Sequence, residues 1–265
     1  MLRAVAFVTY KEWSAYRTHS MVSIFVGPVY FAVQYYIWTA VYGAGAGGAI
    51  NGMELNDMIR YFGVSAMIGY IVMDFADWNL SMLVRTGRFL SFSLRPVNHR
   101  FFAMSQKVGH RVLGFIVEFI PCLCIFIFIF RIDMRPARPG WLAVSVVLAF
   151  LMNFNINYCL GLFSFWIVQS HGIRMVYALV DSVFSGMLIP LVFFPKPFQV
   201  VQLFLPFQYT SYVPASVFLG RYSLGGMDLS IPAIVGCQAA AVLVMYLLSE
   251  IMYRAAMKRF TAVGA

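Results

Sequence analysis

Six stretches of this chain are each long and apolar enough to cross a bilayer, at about 21–42, 61–84, 108–130, 141–169, 174–194 and 231–253. A spanning helix takes about 20 apolar residues. The rest of the chain is divided among several loops, so no segment can house a soluble catalytic domain, which needs at least ~100 residues. Composition agrees, because 11% charged and 62% hydrophobic residues leave too little polar surface to cover a water-facing globule. Soluble domains carry about 25% charged residues. The expectation is an all-α membrane protein, one transmembrane domain over 1–265, with six transmembrane helices and no catalysis of its own. Any energy source must then lie within the membrane or on another chain.

The segments between the runs refine this layout. Residues 1–20 mix Arg3, Lys11, Glu12 and Arg17 with Phe7, Tyr10, Trp13 and Tyr16. Basic and aromatic side chains in one short segment predict a helix in the interface plane. Polar residues this early in the chain also leave no visible cleavable signal peptide. The glycine-rich stretch 43–48 reads as a linker, since it lacks the Gly-Lys-Ser/Thr ending of a phosphate loop. The apolar stretch 195–220 is interrupted by Pro206 and Pro214. Such prolines break a helical ladder, so an outer re-entrant segment is expected between spans five and six, rather than a seventh span.

The net charge of +9 comes from basic residues at the ends of the runs, a pattern of topology and anionic headgroup attraction rather than nucleic-acid binding. With the N-terminus inside, 13 of the 19 basic residues fall on the inner side, which places both termini in the cytoplasm. Arg131, Arg135 and Arg138 run against this rule. Cys122, Cys124, Cys159 and Cys237 all sit in apolar runs and read as small buried hydrophobes without a zinc pattern.

An acid inside an apolar run costs at least ~2.5–3.5 kcal/mol on insertion scales, so each needs a reason. Glu118 has Arg111 two turns before it, Asp181 has Arg174 two turns before it, and Glu250 has Arg254 one turn after it. These three are expected to form structural pairs. Asp74 and Asp77 share a helical face and have no basic residue within seven positions, which leaves structural and substrate-facing roles open. With Tyr35 and Trp38 they are the candidate substrate pathway, suited to an amphiphilic cation. An Asp-x-x-Asp pair could also ligate Mg²⁺, but that needs further acids, and the chain has no second cluster. Ser185-Gly186 lacks the upstream glycine of a nucleophile turn, as position 183 is Val.

The basic loop of about 85–107 interleaves Arg85, Arg88, Arg95 and Arg100 with Phe89, Phe92 and Phe102. It reads either as an interfacial helix on lipid or as a docking element, where aromatics and Arg are enriched. Its sequence Gly87-Arg88-Phe89-Leu90…Leu94-Arg95-Pro96-Val97-Asn98 resembles the permease subunits of bacterial type-2 ATP-binding-cassette (ABC) exporters, in the subgroup with a Leu-Arg-Pro-Val motif before the third span. A second block is similar to the same family: Gly186 to Pro195, Leu205-Pro206-Phe207, Pro214 and Phe218-Leu219-Gly220.

The resemblance implies a permease of the bacterial cytoplasmic (inner) membrane that moves a hydrophobic or amphiphilic substrate outward. That substrate class covers a drug-like cation, a lipid or a lipid-linked compound. Residues Arg85, Arg88, Phe89, Phe92, Arg95, Pro96, Asn98, Arg100 and Phe102 would couple to two cytoplasmic ABC ATPase subunits. ATP and Mg would be bound there, with no cofactor on this chain. A second permease, identical or related, would complete the pathway, gated outside by Pro190, Phe194, Pro195, Pro206 and Phe207. Small residues such as Gly63, Gly69, Ser182 and Gly186 would permit close helix approach. The alternative is a proton-coupled secondary transporter using the membrane-embedded acids, which predicts inverted repeats; the two halves show no such self-similarity.

Overall fold

The computed structural model describes residues 2–14, 17–44, 48–94, 97–167 and 171–260. The helices are α1 (Leu2–Ser14), α2 (Arg17–Ala44), α3 (Leu55–Val72), α4 (Ala76–Arg85), α5 (Phe89–Ser93) and α6 (His99–Gly114). After them come α7 (Ile120–Cys124), α8 (Pro139–Leu162), α9 (His171–Phe184), α10 (Lys196–Leu203), α11 (Tyr212–Leu219) and α12 (Ile231–Arg259). Strands β1 (Tyr222–Leu224) and β2 (Met227–Leu229) form a small antiparallel hairpin, with Tyr222 opposite Leu229. Gly225 and Gly226 both have positive φ at its tip, as a tight two-residue hairpin turn requires.

Among the described residues, five helices are long and apolar enough to cross a membrane: Ile24–Ala44, Leu55–Arg85, His99–Ile129, Pro139–Phe165 and Ile231–Arg259. The stretch expected as a span over 174–194 is different. Helix α9 ends at Phe184, and 14 residues rise only about 21 Å, short of the ~30 Å hydrocarbon core. Gly186 explains the stop. Its φ is +79°, and a β-carbon there would lie 2.8 Å from the Tyr61 hydroxyl and 3.1 Å from Tyr212 Cβ.

Two spans contain a proline beyond their first turn, and each is accommodated in its own way. Pro28 in α2 removes the donor that Ile24 O would otherwise receive. The Tyr70 hydroxyl of α3 donates to that oxygen at 3.1 Å and accepts from Gly27 N at 2.8 Å. A β-carbon at Gly27 would sit 2.7 Å from the Tyr70 ring, so glycine permits this approach. Pro121 in the third span follows a π-helical turn at Phe115–Phe119, and a second occurs at Ile125–Ile129. The wider turn absorbs the missing hydrogen bond.

The main core lies among α2, α3, α8, α11 and α12. Helix α11 is buried from Tyr212 to Phe218 and packs against α3 and α8. The 195–220 stretch is thus broken into α10, a 3₁₀ turn at Pro206–Tyr209 and α11. Buried amides tie the breaks together. Gln238 Nε2 donates to Tyr209 O at 2.9 Å and Ser145 O at 3.0 Å; Gln208 Nε2 donates to Gln202 O; Gln199 Nε2 donates to Phe194 O. Irregular backbone at membrane depth survives only with such internal partners.

Candidate functional site: the buried charges and the loop face

The second span is interrupted at Met73-Asp74-Phe75, between α3 and α4. No proline or glycine causes this break. Asp74 Oδ1 instead accepts from Phe75 N at 2.7 Å and Ala76 N at 2.9 Å, which gives α4 a new capped start. The carbonyls freed at the end of α3 also find partners. Arg111 Nη1 donates to Tyr70 O at 2.7 Å, and Asn153 Nδ2 donates to Val72 O at 2.5 Å.

Both acids of this break have basic partners on other helices. Lys107 Nζ of α6 lies 3.3 Å from Asp74 Oδ2, with both side chains almost fully buried. Arg174 Nε of α9 lies 3.0 Å from Asp77 Oδ2. Spacing along the sequence missed these pairs because they are tertiary. Glu118 pairs with Arg111 at 3.6 Å and Glu250 with Arg254 at 2.9 Å, as expected. The expected Arg174–Asp181 pair does not form, since Arg174 is committed to Asp77.

The other two pathway candidates lie elsewhere. Trp38 packs on Phe62 and Phe193 and donates from Nε1 to Gln34 Oε1 at 3.1 Å. Tyr35 packs on Phe31, Tyr36 and Phe130. Phe62 and Asp74 sit on the same span, about 18 Å apart by helical rise. The structure therefore does not bring Tyr35 and Trp38 together with Asp74 and Asp77.

The loop after α4 divides into an inner and an outer face. Phe89 is buried at 1% exposure against Phe92, His99, Phe165 and Phe260. Phe92 also packs on Phe102 and His99. The phenylalanines expected as docking anchors thus fasten the loop to the ends of α8 and α12. Asn98 caps α6 by accepting from Arg100 N at 2.9 Å. The Arg100 guanidinium is buried, bonded to Asn155 Oδ1 at 2.5 Å and to the Ser249 hydroxyl, 3.6 Å from Glu250 and stacked 3.9 Å from the Tyr246 ring. It clamps α6 to α8 and α12. What the loop presents outward is Arg85, Arg88, Leu90 and Leu94, the last 80% exposed. Arg95 and Pro96 lie outside the described residues.

A family model, ABC-2 family transporter protein, matches residues 29–264. The chain belongs to the ABC-2 transporter family. It is therefore a multi-pass membrane protein and the permease component of an ABC transporter, from a family that works with ATPase partners. Comparison with curated proteins and with solved structures returned no match.

The residues expected to form a gate fall in the broken stretch between α9 and α11. Pro190 is buried, and Pro195 and Pro206 start α10 and the 3₁₀ turn that follows it. Phe194 stacks on Phe198, while Phe207 packs on Tyr177 and Phe184 of α9. The turn after α9 is held by hydroxyls: Tyr61 donates to Gly186 O at 2.7 Å and Tyr30 to Met187 O at 2.5 Å. Sequence reading missed Lys107, Asn153, Tyr61 and Tyr30 as organisers of the breaks. Their only signal is the general need of a buried charge or an opened backbone for a partner.

Proposed function

We propose that this permease is the membrane half of an ATP-driven exporter of hydrophobic or amphiphilic compounds, driven through the 85–102 loop by two separate ATPase subunits. The observation that carries this reading is the two-sided loop. Its inner face is locked to α8 and α12 by Phe89, Phe92 and Arg100, while Arg85, Arg88, Leu90 and Leu94 face out. A push on such an element moves the helices it is bonded to instead of bending the loop.

In this reading α9 and the turn through Phe194 together make the fifth of six crossings, and the 195–220 segment re-enters from the outside. Both termini lie in the cytoplasm of a bacterial inner membrane, as the basic residues favour. The pathway runs between two permeases, identical or related. Apolar side chains left uncovered on α2 and α9, among them Phe25, Val29, Tyr36, Val176 and Leu179, suit lipid or such a second permease. Arg88→Glu with Leu94→Ser tests the loop. Both side chains are exposed, so the thermal midpoint should hold while co-purification of the ATPase falls. Unchanged ATPase association would remove the loop from the interface.

A further inference from the structure

Asp181 stands apart from the other acids of the apolar runs. Among the described residues it enters no ion pair, and its Oδ1 is buried without a hydrogen bond. The nearest basic residue on its own helix, Arg174, is held by Asp77, and Lys107 and Arg111 are held by Asp74 and Glu118. Asp74, Asp77, Glu118 and Glu250 are all paired.

Asp181 lines a partly open cavity of about 370 Å³ between α2, α3, α8, α9 and the turn before α11. That volume lies within the ~300–1,000 Å³ range of small-molecule pockets. Ser211, which lines the same cavity, has a buried hydroxyl with no hydrogen-bond partner among the described residues. On the same wall Tyr30 donates to Met187 O and Asn153 to Val72 O. Much of the remaining surface is apolar, with Ile68 and Met187 prominent.

We infer that this cavity is a binding site for the primary ammonium end of an amphiphile, with Asp181 as the counter-charge and Ser211 as a further acceptor. An ammonium carries three donors, and Tyr30 and Tyr70 line the same cavity, aromatic side chains that suit a cation. An inorganic dication would want several oxygen ligands around it. Among the described residues no group of three His, Cys, Asp or Glu side chains exists to supply them. The inference rests on the exporter reading above, names its substrate class, and moves recognition from Asp74 and Asp77 to Asp181.

The test is calorimetric titration of the permease, purified with its partners into lipid nanodiscs. The probes are 2-phenylethylammonium and n-propylbenzene, the same shape without the charge. Saturable binding of the cation is expected, with the hydrocarbon about tenfold weaker or more, the loss of one charge-assisted contact. Asp181→Asn should lose the cation preference by about the same factor while keeping its thermal midpoint. Ser211→Ala, which keeps the charge, should weaken binding about two- to fivefold and covers the case in which Asp181→Asn does not fold. Equal binding of both probes, no saturable binding by folded protein, or an unchanged Asp181→Asn affinity would overturn the site. The last result would mean a carboxyl simply held neutral by burial. If ATPase subunits co-purify and hydrolyse ATP but the cation does not bind, this inference alone fails. If no ATPase accompanies the chain, it is the exporter reading that fails.

Discussion

Single side chains decide how the permease tolerates charge inside its apolar runs. Asp74 does two things at once, capping the restarted helix through Oδ1 and neutralising Lys107 through Oδ2. Removing one partner of a buried pair leaves the other uncompensated and costs about 3–5 kcal/mol, whereas replacing both with apolar groups is often near neutral. Lys107→Met alone should therefore lower the thermal midpoint strongly, and Asp74→Asn in the same chain should recover much of the loss. Additive losses in that double-mutant cycle would show that the pair is not coupled. The Tyr70 hydroxyl offers a sharper case, because it serves two backbone groups opened by Pro28. Tyr70→Phe should cost about 1–3 kcal/mol, the penalty for buried unsatisfied groups, read as a midpoint shift in detergent.

At the scale of elements, hydropathy located the long helices, because an apolar run of span length has few other fates. It also found the irregular 195–220 stretch, through Pro206 and Pro214. What it could not place was the end of α9 at Phe184 and the break at Asp74. Neither is a local preference: Tyr61 and Tyr30 hold the first from other helices, and Arg111 and Asn153 cap the second. The same holds for the loop, where composition showed aromatics and Arg but not which of them turn inward. Phe89 packs on Phe165 and Phe260, residues far along the chain. The Arg254–Glu250 pair, by contrast, was readable from its one-turn spacing. The clamp by Arg100 gives an element-scale prediction. Arg100→Leu should leave α6 folded but free α12 from it, seen as faster amide exchange over residues 246–259. Unchanged exchange there would mean that packing of Phe89 holds the loop unaided.

For the whole molecule, the long helices enclose one continuous core, and a second cluster around Phe89, Phe154 and Tyr158 joins the loop to it. In the proposed reading force passes from the loop to α8 and α12, then through α11 to the turn at Gly186, and an ATPase subunit sits beneath that loop. The most direct measurement is purification of the tagged chain from its own host's membranes in mild detergent. Co-purifying proteins are then identified and vanadate-sensitive ATP hydrolysis is assayed. The account predicts an ATPase subunit in stoichiometric amount with hydrolysis above background, reduced by Arg88→Glu with Leu94→Ser. A folded chain that purifies alone, without hydrolysis, would contradict it.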